Sequence, residues 1–205
     1  APAGWRWTNP VAEILLGVSG GISAYRAIDV LRDLQRRGHG VTVVMTRDAR
    51  RFVGPATFAA LSGRPVGRDL FGPEDRPGYD HLELARRADV LAIVPASANT
   101  IARCAAGLGD GLLGAVHLAF DGTVVMAPAM NTRMYLHPAT EHNIALLRSR
   151  GVTMVDPVSG LLADEGADVV DRAAARGIEG GRPDGRLLAD LDGVQVAGID
   201  RHLGP

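Results

Sequence analysis

The chain has 205 residues, 46% of them apolar, and a mean hydropathy of +0.07. That suffices for one domain with a core that needs no staples, and it excludes a mini-protein or a disordered tail. Basic and acidic residues nearly balance at 22 against 23, for a formal charge of −1, so no global field draws the chain to nucleic acid or to an anionic membrane. Every cation is arginine, a bias that coding composition explains as well as anion recognition does, since Ala, Gly and Val are also abundant. Cys104 is the only cysteine, so neither a disulfide nor a cysteine-based zinc site can form within one chain. No run of about 18 apolar residues occurs. Ala1 to Pro10 lacks the regions of a signal peptide, and a soluble cytoplasmic protein is expected.

In chain order, the apolar run Glu13 to Val18 ends in Ser19-Gly20-Gly21, and a helical pattern follows through Ile22, Ala27, Ile28, Leu31 and Leu34 to Gly38. This reads as strand, tight turn, helix. Val41 to Met45 is a second strand, followed by a helical stretch around Phe58, Ala59 and Leu61. A short helix is expected from Leu82 to Arg87. Asp89 to Val94 is a third strand, and it leads through Pro95-Ala-Ser-Ala-Asn-Thr100 into a helix face of Ile101, Ala105 and Leu108. Gly122 to Met126 is a fourth, running into Ala127-Pro-Ala-Met-Asn131; a helix from about Ala139 to Arg150 precedes a fifth strand at Val152 to Val155.

Nearly continuous apolar strands alternating with helices predict a doubly wound, flavodoxin-like α/β domain, a parallel sheet covered on both faces. Ligands in that architecture sit beyond the carboxyl ends of the strands, where helix N-termini present unpaired N–H groups. The loops at 19–21, 46–47, 95–100 and 128–131 are therefore the candidates. A single domain over 1–205 is expected, with its core at about 13–156, a flexible clamp at about 157–172 and a weakly structured tail at about 173–205 that could hold a late strand at Val194 to Val196. There is no internal repeat.

Gly17-Val-Ser-Gly-Gly-Ile-Ser23 has the glycines and hydroxyls of a phosphate-binding turn, although a glycine turn needed only for packing would read the same. A dinucleotide site would need G-x-G-x-x-G and an acidic residue after the second strand; here Met45-Thr46-Arg47 ends that strand, so a mononucleotide phosphate on Ser19 and Thr46 fits better. Ser97, Asn99 and Thr100 crowd two hydroxyls and an amide at one helix start, more than a cap requires, though capping alone would account for Ser97 or Thr100. Asn131 lies between Met130 and Met134, residues that are more often core filler than cofactor wall. His39, His117, His137, His142 and His202 suggest no role. His137 and His142 are five apart and miss the spacing of a helical metal pair, so no metal site is expected.

The turn at Gly17 to Ile22, His81, the string Pro95 to Thr100 and Pro128-Ala-Met-Asn-Thr-Arg-Met-Tyr135 stand in the order and spacing of one family. Over roughly residues 13–172 the chain resembles the homo-oligomeric flavin-containing cysteine decarboxylases. The resemblance implies an FMN cofactor bound at subunit contacts in trimers, or in dodecamers built of trimers. It implies that Gly17, Ser19, Gly20 and Thr46 serve the FMN phosphate, that Pro95, Ser97, Ala98, Asn99 and Thr100 contact the cofactor, and that Ala129 and Met130 pack near the flavin. His81 matches the active-site histidine and Asn131 the amide that recognises the substrate carboxylate, with Met134, Asp164 and Arg172 on the substrate side. Tyr135 replaces the family's usual tryptophan, and Asp110-Gly111 its paired acidic residues.

A cysteine carboxylate lacks an electron sink. Oxidation of CH2–SH to a thioaldehyde places the carboxylate β to C=S, and its loss as carbon dioxide leaves an enethiolate; FMN would supply that redox step. Histidine titrates near neutrality and suits proton transfer from the thiol. A neutral amide holds the carboxylate without opposing its departure. Phosphopantothenoylcysteine decarboxylases of coenzyme A synthesis then return the enethiol to a thiol with a clamp cysteine. Here Asp164 stands about where that cysteine would be. The sequence therefore favours the branch that stops at the enethiol, the peptidyl-cysteine decarboxylases. Their partner is a precursor peptide with a C-terminal cysteine, destined for an S-(2-aminovinyl)cysteine ring as in lantibiotics. The alternatives are phosphopantothenoylcysteine decarboxylation and a noncatalytic FMN-binding regulatory subunit. Flavin prenyl transfer would require a basic, aromatic pocket, and the chain has few aromatic residues.

Overall fold

A computed structural model describes residues 11–70, 81–155, 159–161 and 167–169. Five strands form one sheet: β1 (Glu13–Val18), β2 (Gly40–Met45), β3 (Val90–Ala96), β4 (Thr123–Pro128) and β5 (Thr153–Met154). All neighbouring pairs are parallel and the order is β2-β1-β3-β4-β5, so the fold is flavodoxin-like α/β as the alternation predicted. Strands β6 (Ser159–Leu161) and β7 (Ala167–Val169) pair antiparallel in the stretch expected to form a clamp. Asp164, Arg172 and the late strand expected at Val194 to Val196 lie outside the described residues.

Successive side chains of a strand point to opposite faces, and both faces of this sheet are buried. Leu16 and Val18 enter one core with Ala27, Leu31 and Leu34 of α1 (Arg26–Arg36) and Phe58 of α2 (Pro55–Ser62). Leu15, Leu91, Ile93 and Met126 enter the other core. There they join Ile101 and Cys104 of α4 (Ala98–Ala106), Leu113 and Val116 of α5 (Leu112–Ala119), and Ile144 and Leu147 of α7 (Pro138–Ser149). Helix α3 (His81–Arg87) buries Leu84 and Ala85. Helices α2 and α4 stop at Gly63 and Gly107, both in the left-handed conformation that other residues rarely adopt.

Three local differences from the expected pattern have physical causes. A 3-10 turn, Ile22–Tyr25, precedes α1, and Ile22 faces outward from it. Leu108 lies past the end of α4 and is exposed rather than on its buried face. Neither α5 nor the one-turn α6 (Thr132–Tyr135) is legible as a periodic stripe. Helix α5 is almost wholly apolar and carries Gly114 inside it; a Cβ there would lie 2.4 Å from the Leu108 carbonyl oxygen. Close backbone approach outweighs the low helix propensity of glycine at that position. Among the described residues no helix is long and apolar enough to cross a membrane.

Candidate functional site

The sheet changes winding direction between β1 and β3, and the crevice at their carboxyl ends is where this topology leaves room for a ligand. One hydroxyl spans it. Ser19, fully buried, donates to the Pro95 carbonyl at 2.7 Å and accepts from the Ser97 N–H at 2.8 Å. The Ser19 N–H adds a third bond to the same carbonyl at 3.3 Å. The turn after β1 and the loop after β3 are thereby locked together. Gly20 is forced by packing: a Cβ there would meet Asp48 backbone carbon at 3.0 Å and Ala49 nitrogen at 3.2 Å. The turn after β1 thus rests directly on the loop after β2.

Against this framework lies a cleft of about 910 Å³, within the range of small-molecule sites. Of the expected residues, Gly20, Thr46, Ser97, Ala98, Asn99, Thr100, Ala129, Met130, Asn131 and Met134 line it. Gly17, Ser19 and Pro95 are buried and are not among the residues that line it. Gly17 is inside β1, where a Cβ would lie 2.6 Å from Leu113 Cδ1, so its glycine serves helix packing. Ser19 has its only proton on Pro95, and no hydroxyl proton remains to donate to a phosphate. His81 opens α3 and is not among the residues lining its own chain's cleft.

The donors divide by position. Thr46 Oγ1 accepts from the Ala49 N–H at 3.3 Å and keeps its own proton to donate. Ser97 caps α4, accepting from the Thr100 N–H at 3.3 Å, with the two hydroxyl oxygens 3.1 Å apart. That contact uses one of the two hydroxyl protons and leaves the other free to donate. Asn99 is exposed on the cleft and makes no side-chain hydrogen bond among the described residues. Asn131 Oδ1 accepts from the Arg133 N–H at 2.9 Å as the cap of α6, which fixes the rotation of its amide. Met130, Leu112, Leu113 and Cys104 supply an apolar wall. Burial pushes the Cys104 thiol up from 9.0 to about 11, with Arg103 opposing weakly, so the thiol is neutral and unreactive at neutral pH.

Sequence reasoning reached Arg47 only through the loop at 46–47 and missed the rest of the charged rim. Ser23 lies inside the expected turn motif and reaches the cleft, as do Arg47, Arg50, Arg68 and Arg103 with Asp48, Asp69 and Asp110. Position after the strand ends was the available signal for Arg47; Arg68 and Asp69 carried none. A smaller cavity of about 590 Å³ lies near the amino end of β1. Its charges pair internally, Arg64 with Glu13 and Arg87 with Glu83, so it offers no comparable chemistry. No metal-binding cluster occurs among the described residues.

The cleft joins a polar, arginine-bearing end to an apolar wall and an amide-bearing edge. The chain belongs to the Flavoprotein family, whose model matches residues 7–176. It is 48% identical over 157 residues to the coenzyme A biosynthesis bifunctional protein CoaBC of Mycobacterium tuberculosis, covering 76% of this chain. It spans only 37% of that relative's length. Among solved structures it is similar to the FMN-dependent cysteine decarboxylase SpaF, with a TM-score of 0.69 and 35% identity over 80% of this chain and 93% of that one. A PPC decarboxylase variant complexed with pantothenoylaminoethenethiol gives a TM-score of 0.66 and 29% identity over 78% of this chain and 90% of that one.

Two outcomes follow from the cleft's construction. Ser19→Ala leaves the Ser97 N–H without its partner and is expected to lower unfolding free energy by about 1–3 kcal/mol in urea titration, with unchanged stability as the contrary result. For Cys104, the unfolded thiol loses its proton near 9.0 and the folded one near 11, so the folded state binds the extra proton between them. Its stabilising contribution is complete below the lower value and falls as pH rises to the upper. The stability gap between wild type and Cys104→Ala is expected to narrow by about 2–3 kcal/mol over that window.

Proposed function

We propose that this chain is an FMN-dependent oxidative decarboxylase of a terminal cysteine, releasing carbon dioxide and an enethiol. The observation that carries this reading is the joining, in one cleft, of the glycine turn at Gly20 to Ser23, an apolar wall and the oriented Asn131 amide. Gly20, Ser23 and Thr46 would hold the phosphate end of FMN, with Ala129 and Met130 against its ring and Ala98, Asn99 and Thr100 nearby. When bound, the flavin supplies the two-electron oxidation that turns CH2–SH into a thioaldehyde. Asn131 meets the carboxylate with its amide protons, a neutral contact that does not oppose loss of the negative charge. Met134 packs beside it.

His81 accepts the thiol proton in this reading. In this reading a second copy delivers it, and the working unit is a homo-oligomer with sites at subunit contacts; His81 being no part of its own chain's described cleft lining supports this. This leads to a complementation test. His81→Asn and Asn131→Ala are each expected to be inactive alone, while co-expressed mixtures regain a fraction of activity because some sites receive both intact groups. Mixtures as inactive as the separate variants would place His81 and Asn131 on the same chain's site or outside the mechanism.

Similarity favours phosphopantothenoylcysteine as substrate over a precursor peptide, reversing the preference drawn from the sequence alone: the relatives at 47–48% identity are coenzyme A biosynthesis proteins. A specific observation supports the peptide as the second reading. The chain's only thiol, Cys104, is buried and neutral, so no cysteine is available to return the enethiol to a saturated thiol. Supplied with FMN and either phosphopantothenoylcysteine or a peptide ending in cysteine, the protein is expected to make a product lighter by about 46 Da, carbon dioxide plus two hydrogens. Turnover of the peptide alone selects the second reading. Turnover of neither removes the decarboxylase assignment.

A further inference from the structure

The ion pairs at the rim leave two cations over. Arg50 forks onto Asp69 at 3.3 and 3.4 Å, and Arg103 pairs with Asp110. Arg47 and Arg68 line the same cleft, are exposed, and make no ion pair or side-chain hydrogen bond among the described residues. The backbone brings them to one place. Gly67 extends the sheet beyond β2 through a parallel bridge to Val44, donating its N–H to the Val43 carbonyl at 2.8 Å and accepting from the Met45 N–H at 2.9 Å. Arg68 thus leaves the sheet edge beside Met45, at the end where Thr46 and Arg47 turn out of β2. The Arg50–Asp69 pair anchors the residue that follows.

A phosphate monoester carries about −1.5 to −2 charges at neutral pH. The turn at Gly20 to Ser23 and the Thr46 hydroxyl offer it only neutral donors. Guanidinium groups bind such oxygens with charge-assisted, paired hydrogen bonds. We propose that Arg47 and Arg68 form an arginine pair that takes the phosphate monoester of the flavin and sets the preference for FMN over unphosphorylated riboflavin. This rests on the flavin reading above. The phosphate of phosphopantothenoylcysteine is the other source of the same chemistry.

The test is fluorescence titration of the flavin-free full chain with FMN and with riboflavin, at low and high salt, for wild type, Arg47→Gln, Arg68→Gln and the two Lys variants. Wild type is expected to prefer FMN, and the preference to shrink as salt rises. Each Gln variant is expected to lose about tenfold in FMN affinity at low salt while riboflavin affinity, which also reports an intact fold, stays within about twofold; Lys retains part of the preference. Gln variants that keep the wild-type preference overturn the assignment. If they keep it but lose discrimination between phosphorylated and unphosphorylated pantothenoylcysteine in competition, the pair serves the substrate and the flavin assignment is overturned. Wild type that binds neither flavin overturns the flavin reading and this one together.

Discussion

A single buried hydroxyl ties together the loops that frame the cleft at the carboxyl edge of the sheet. At the point where the sheet changes winding direction, the chain ends of β1 and β3 diverge, and their backbone groups need partners. Ser19 joins them, giving its proton to Pro95 and its lone pair to Ser97. With those loops fixed and Gly20 seated against Asp48 and Ala49, the donors of three separate segments meet along one wall. The hydroxyl acts as a strut, and its neighbours are the groups that line the cleft.

The wall is graded. Thr46, Arg47, Arg50, Arg68 and Asp69 line it near the end of β2, while Met130, Leu112, Leu113 and the neutral Cys104 line it near α4, α5 and the end of β4, beside the Ser97 and Thr100 hydroxyls and the Arg103–Asp110 pair. Such a gradient orients an elongated ligand without a large net charge, which agrees with a chain whose formal charge is −1. The two amides differ in how they are held. Asn99 faces the cleft from an exposed helix start, whereas Asn131 is held in rotation by its cap contact with Arg133. In the proposed reaction a departing carboxylate is better held by the second kind of group, whose geometry is set before a substrate arrives.

Much of the fold was legible because β1, β3 and β4 are buried on both faces and so read as unbroken apolar runs followed by turn residues. Helix α5 was not, since its constraint is the Leu108 carbonyl against Gly114, a contact between residues that no periodicity encodes. The site followed the same division. Residues inside dense local strings, Ser97 to Thr100 and Ala129 to Asn131, were legible from their order and do line the cleft. Ser19 and Gly17 stand in a similar string, yet both are buried, and burial is not written in the local sequence. Arg68 and Asp69 reach the cleft only because Gly67 bridges to the edge of β2. That long-range register leaves no local mark.

The account depends on the carboxyl edge of the sheet being the flavin site. Hydrogen–deuterium exchange of the full chain with and without FMN measures this directly. Slower amide exchange is predicted at 20–23, 45–50, 97–100 and 129–131, with no change around the second cavity at Glu13, Arg64 and Glu83. FMN that binds while those four segments exchange as before, or that protects the opposite end of the sheet, would contradict it.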